Sequence, residues 1–124
     1  MRILYVEDHP DTATAMKMLL QFLGHDPLIV TNQTSAGEAL ASERVDAVMC
    51  DFELPDGDGC DFVKNIASKY RIPCIAVTGH VYDTDRERAE RSGFDAFLAK
   101  PVVIEDLERI LGLIQKRHRL PIVA

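Results

Sequence analysis

Two kinds of apolar segment alternate along the chain. RILYV (2–6), DPLIVT (26–31), DAVMC (46–50), PCIAVT (73–78) and AFLAK (96–100) are short, rich in Val, Ile and Leu, and bounded by polar or turn-forming residues. Near-continuous apolar runs of this length suit parallel strands covered on both faces. Between them lie longer stretches with helical spacing. Ala13, Met16, Leu20 and Leu23 recur every three or four residues before Gly24 supplies a stop. TSAGEALASER predicts a second helix with Thr34 or Ser35 as its N-cap and Glu38 in the first turn. Phe62, Val63, Ile66 and Tyr70 share one side of a third. The fourth, YDTDRERAERSG (82–93), is polar nearly all round, with Ala89 its one plainly apolar residue, and ends at Gly93. The fifth repeats Leu107, Ile110, Leu111 and Ile114 and is the clearest amphipathic helix of the chain.

Five strands alternating with five helices over short links predict an α/β fold, a doubly wound parallel sheet with helices on both faces. In such sheets functional groups collect in the crevice at the carboxyl ends of the strands. The length of 124 residues fits one domain with a core of its own, and 47% hydrophobic with 27% charged residues is an ordinary globular composition. Twenty acids against 14 Lys+Arg leave a formal charge of −6, which argues against nucleic acid as a direct partner because phosphate binding needs a basic stripe. The one dense basic cluster, Lys116, Arg117, His118 and Arg119, reads as a helix-end cap. Cys50, Cys60 and Cys74 show no C-x-x-C spacing. Cys50 and Cys74, in apolar strand-like runs, point to reduced core residues, and the three together to a reducing cytoplasm rather than a disulfide framework or zinc site. No signal-peptide h-region and no run of membrane-spanning length is present.

Placed on this map, Glu7 and Asp8 end the first strand, Asp51 the third, Thr78 the fourth and Lys100 the fifth. All fall on one edge of the sheet. Carboxylates packed together raise one another's pKa unless a cation lies between them, and hard oxygen donors suit Mg²⁺ better than zinc. A carboxylate near Mg²⁺ can act as the nucleophile on a phosphoryl group, with a lysine ammonium and a hydroxyl stabilising the phosphoryl oxygens.

The motifs VEDHP after the first strand, DFELPDGDG around Asp51, VTG ending at Gly79 and FLAKP at 97–101, in this order, resemble the receiver domain of two-component response regulators over essentially the whole chain. The resemblance implies a flavodoxin-like (βα)5 sandwich with strand order 2-1-3-4-5. By it, Asp51 is the phospho-acceptor, Glu7 and Asp8 hold Mg²⁺ with Asp51 and the backbone carbonyl of Glu53, and Thr78 and Lys100 are the switch hydroxyl and phosphate-binding lysine. Pro101 matches a proline whose preceding peptide bond is typically cis in the family. Phe97 matches the aromatic switch position, with plain core packing as the alternative. The implied donor is a phosphohistidine on a sensor histidine kinase or histidine phosphotransfer protein. Phosphorylation is expected to draw Thr78 toward the phosphoryl group, let Phe97 move inward, and re-present the surface of the fourth helix, fifth strand and fifth helix to a downstream protein.

Four positions invite further expectations. Glu53 and His80 would face each other across the mouth of the site and could set the rate of phosphate loss; a solvated loop histidine is the plainer reading. His9 reads as a loop residue, since Mg²⁺ prefers oxygen. Gly79, where many receivers carry alanine, leaves room for a phosphoryl group in either case. The charged fourth helix argues against an apolar pairing surface there. Residues 1–124 are expected to form a single receiver domain with no output domain, either a stand-alone regulator or a piece of a larger protein, acting in the cytoplasm without nucleic acid or membrane as partners. The competing class is a haloacid-dehalogenase-like Mg²⁺-dependent phosphatase, which wants an aspartate two residues after the nucleophile, where this chain has Glu53. A non-phosphorylated binding module is disfavoured by the complete set of Glu7, Asp8, Asp51, Thr78 and Lys100.

Overall fold

The computed structural model describes residues 1–79 and 82–116. Its strands are β1 (Arg2–Val6), β2 (Asp26–Val30), β3 (Ala47–Cys50), β4 (Glu53–Leu54), β5 (Gly57–Asp58), β6 (Cys74–Thr78) and β7 (Ala96–Ala99). Its helices are α1 (Pro10–Phe22), α2 (Gln33–Ser42), α3 (Gly59–Tyr70), α4 (Asp83–Ser92) and α5 (Ile104–Gln115). Five strands form one parallel sheet in the order β2-β1-β3-β6-β7. Counting only those five, this is the expected 2-1-3-4-5. The register sets Val6 beside Val30 and Cys50, Cys50 beside Ala76, and Thr78 beside Ala99.

Alternation along each strand sorts the side chains between two cores. Leu4, Val6, Val48, Cys50, Cys74, Ala76 and Phe97 pack under α2, α3 and α4. Ile3, Tyr5, Ala47, Met49, Ile75, Val77, Ala96 and Leu98 pack under α1 and α5. Cys50 and Cys74 are free and buried, as expected of core residues, Cys60 is free and buried as well, and burial pushes the Cys74 thiol up to about 12.

The structure corrects one local expectation and adds detail around Asp51. Asn32, not Thr34 or Ser35, caps α2, its Oδ1 accepting from Ser35 N at 2.8 Å. The segment after Asp51 forms a short antiparallel hairpin, β4–β5, with two residues in each strand. Asp56 at its tip reaches across to α2, where its carboxylate accepts from Gln33 N at 2.9 Å and from the Thr34 N–H and hydroxyl at 3.2 Å. Hydrogen-bond donors left over at a helix N-terminus make a carboxylate from another loop as good a cap as a local one. Asp58 caps the start of α3, accepting from Cys60 N and Asp61 N. Two glycines make this segment possible. Gly57 has φ +149°, and a Cβ on Gly59 would lie 1.9 Å from the Asp51 carbonyl oxygen.

Among the described residues no helix is long and apolar enough to cross a membrane. Lys116 closes the C-terminal end of α5, while Arg117, His118 and Arg119 lie outside the described residues.

Candidate functional site at the carboxyl edge of the sheet

Because the five strands run parallel, the residues following β1, β3 and β7 and the last residue of β6 meet at one edge. Glu7, just past β1, is fully buried. Its Oε1 accepts from the Tyr5 hydroxyl at 3.1 Å and from Lys100 Nζ at 2.6 Å, and its Oε2 accepts from His9 N at 3.3 Å. Lys100 Nζ also donates to Asp51 Oδ2 at 2.8 Å, so one ammonium links the two carboxylates across 93 and 49 residues of chain. Asp51 keeps 13% of its side chain exposed. Its Oδ1 accepts from Phe52 N at 2.7 Å and, more weakly, from Glu53 N at 3.5 Å.

The electrostatics follow from this packing. Burial alone would lower the Lys100 pKa, but hydrogen bonds to Asp51 and Glu7 outweigh it and hold the ammonium above its ordinary value. Burial and the neighbouring Glu7 charge push the Tyr5 hydroxyl up, so it serves Glu7 as a neutral donor. Tyr5 was not legible as a site residue in the apolar run RILYV. Its signal was period-two spacing, which sets residues 5 and 7 on the same side.

The remaining candidates divide. Thr78 is fully buried at the end of β6, and its carbonyl accepts from Lys100 N at 2.9 Å. The Lys100–Pro101 peptide bond is cis, as the resemblance implies. Phe97 is 3% exposed, with the Phe52 ring edge-on at 5.9 Å and the Arg86 guanidinium over its face at 4.6 Å. Its ring is packed inward, against Phe52. Glu53 is exposed at the start of β4. His80 lies outside the described residues, so the Glu53–His80 pair does too. A Cβ on Gly79 would meet nothing within 4 Å, so glycine and alanine are sterically equivalent there.

The acidic donor set suits Mg²⁺ in kind, since Asp8 is exposed and Asp51 is partly open, but Glu7 has both oxygens engaged within the protein. Among the described residues no three acidic, histidine or cysteine side chains are gathered closely enough to grip a metal as they stand. The structure thus brings Glu7, Asp51 and Lys100 together and leaves Asp8 at the rim. Beside the Lys100 stem a cleft of about 570 Å³ opens between α1 and residues 100–102, lined by Tyr5, Asp11, Thr12, Met16, Pro101 and Val102 among others.

Residues 3–112 match the response regulator receiver domain family. The chain belongs to that family. It is 32% identical over 114 residues to an uncharacterized 14.6 kDa protein in the sodA1 3' region of Leptolyngbya boryana, covering 90% of this chain and 87% of that protein. It is 34% identical over 112 residues to the sensory/regulatory protein RpfC of Xanthomonas campestris, covering 86% of this chain but 15% of RpfC. With the sensor histidine kinase RcsC of Escherichia coli it shares 29% identity over 96% of its own length and 13% of that kinase. The chain therefore spans about a seventh of the length of these two relatives. The crystal structure of a two-component response regulator from Clostridium difficile superposes with a TM-score of 0.90 at 26% identity, covering 94% of this chain and 97% of that one. The flavodoxin-like receiver fold and a phosphoryl-accepting signalling role follow from this membership. It decides against the haloacid-dehalogenase-like phosphatase, and makes the receiver a signalling domain rather than a turnover enzyme.

Proposed function

We propose that Asp51 is the phospho-acceptor of a single receiver domain spanning residues 1–124, and that it takes its phosphoryl group from a phosphohistidine donor. The observation that carries this reading is the Lys100 ammonium, held at once by Asp51 Oδ2 and the buried Glu7 at the open end of the sheet. In the transfer, one Asp51 carboxylate oxygen forms a bond to phosphorus as the bond from phosphorus to the donor imidazole nitrogen breaks. The electron pair stays with the imidazole, which takes up a proton from solvent. Lys100, placed beside the attacking carboxylate, screens the phosphoryl oxygens, and Thr78 at the neighbouring strand end donates its hydroxyl to one of them. The donor set of Asp8, Asp51 and the Glu53 carbonyl, backed by Glu7, would hold Mg²⁺, which supplies charge neutralisation for the transferring group when bound.

A sensor histidine kinase or phosphotransfer protein is the donor class, in keeping with the kinase relatives. The cleft beside α1 and the exposed Met18 and Phe22 on that helix support approach from the α1 side. Phosphorylation then re-presents the α4, β7 and α5 surface to a downstream protein, with Thr78 and Phe97 as the switch residues, and the chain works in the cytoplasm. The test is incubation with acetyl phosphate and Mg²⁺ followed by intact mass measurement. One phosphate per chain is expected for the natural sequence and none for Asp51→Asn. An adduct that persists in Asp51→Asn would overturn the assignment.

A further inference from the structure

Phe52 follows the acceptor directly, and its backbone is tied on both sides. Its N–H donates to Asp51 Oδ1 at 2.7 Å, and its carbonyl accepts from Gly59 N, the first residue of α3, at 2.7 Å. Its side chain is 4% exposed and lies between two other rings: Phe97 edge-on at 5.9 Å and Phe94 tilted by 40° at 5.9 Å. From the outer side, two arginines of α4 close over this cluster. The Arg88 guanidinium sits 6.0 Å from the Phe52 ring centre and pairs with Asp58, the N-cap of α3. The Arg86 guanidinium sits 4.6 Å over Phe97. The result is a continuous stack, Arg86, Phe97, Phe52, Arg88, anchored by one backbone N–H to the acceptor carboxylate.

We infer that Phe52 is a positioning residue that couples the chemical state of Asp51 to the placement of helix α4 through this stack, by a route that does not pass through Thr78. The inference rests on Asp51 being the acceptor. An ionised carboxylate oxygen is a strong, charge-assisted acceptor, and conversion to an acyl phosphate leaves a weaker one on the same carbon. The Phe52 peptide is therefore the backbone group most directly exposed to the modification, and its ring is wedged where it cannot shift alone. Interiors packed this tightly respond by discrete rearrangement rather than by smooth deformation. Helix α4 is suited to respond, because it buries only Ala89 and Ser92 and sets two of its arginines on these rings and on Asp58.

The test is hydrogen exchange over residues 83–92, read by mass, with and without acetyl phosphate and Mg²⁺. The natural chain is expected to change its α4 exchange on phosphorylation. Phe52→Leu keeps the backbone N–H and still takes up one phosphate, but its α4 response falls roughly two- to tenfold. Arg88→Met, which keeps the stem and removes the cation, shows the same loss and decides the matter should Phe52→Leu not fold. Ile110→Val, a mild core truncation on α5, is the control and keeps the full α4 response. A normal adduct with an undiminished α4 response in Phe52→Leu or Arg88→Met overturns the coupling, as does a natural chain whose α4 ignores phosphorylation. Absence of any adduct on the natural chain overturns the acceptor assignment itself.

Discussion

Helices α4 and α5 flank the same strand, β7, yet they are held by different physics. On α5, Leu107, Ile110 and Leu111 are buried to within 1% exposure, each contributing on the order of 1.5–3 kcal/mol of transfer free energy. On α4 the buried residues are Ala89 and Ser92, and the larger contacts are Arg86 over Phe97, Arg88 over Phe52 and the Arg88–Asp58 pair. Contacts of a cation with a ring, and half-exposed ion pairs, contribute about 1 kcal/mol or less each. α5 is therefore fastened by apolar area that is indifferent to nearby charge. α4 adds to its small buried area directional contacts that reach Phe97 on β7 and, in the segment following Asp51, Phe52 and Asp58. A helix held weakly, and by groups that answer to the acceptor's chemistry, is the one expected to move.

The contrast can be broken most forcefully by truncating the stronger helix. Leu107→Ala is expected to cost about 2–5 kcal/mol in urea unfolding, because it opens a cavity in a core that relaxes only in part. A loss no larger than that of an α4 arginine would erase the distinction. Arg88→Met is expected to lower stability by about 1 kcal/mol or less at low salt, with part of the difference disappearing at 1 M salt as the ion pair is screened. Equal losses at both salt concentrations would mean that packing of the arginine stem, not its charge, holds α4.

The smallest effect sharpens the same point through pH. Burial alone would raise the Asp58 carboxyl, but the Arg88 hydrogen bond and the Cys60 N–H overcome it and hold it below its ordinary value of 3.8. A carboxylate whose folded pKa is depressed adds stability that is present above its unfolded pKa and lost as pH falls through the folded one. Asp58→Asn should therefore melt slightly below the natural chain at neutral pH, with the gap constant down to about pH 5 and closing at and below the ordinary value. A gap that stays open in acid would show that the ion pair is not its source.

Most of the architecture and the main constellation were legible in the chain. Strand periodicity placed Glu7, Asp51, Thr78 and Lys100 on one edge because a parallel sheet puts all its carboxyl ends together. The three buried α5 residues were read off directly, since burial on an isolated amphipathic face follows the helical period. What escaped were contacts between residues far apart in sequence. Asp56 capping α2, Arg88 reaching Asp58 and the Phe52–Phe97 packing each join elements whose relative placement no local pattern encodes. The second helix shows the same limit at short range. Thr34 and Ser35 are good cap residues by type, but Asn32 took the role, and the Thr34 N–H and hydroxyl went to Asp56 instead.

By itself the sequence determined which residue types stand at the strand ends and which faces are apolar, because those depend on composition and period alone, while its four ordered motifs carried the resemblance to the family. Only the tertiary structure decided how the groups share their bonds. It gave Glu7 to Tyr5, Lys100 and His9, left Asp8 at the rim, turned Phe97 inward, and set two α4 arginines on the rings beside the acceptor. The reason is that hydrogen bonds and ring contacts depend on distances of a few ångströms between separate elements, and those distances exist only once both faces of the sheet are packed.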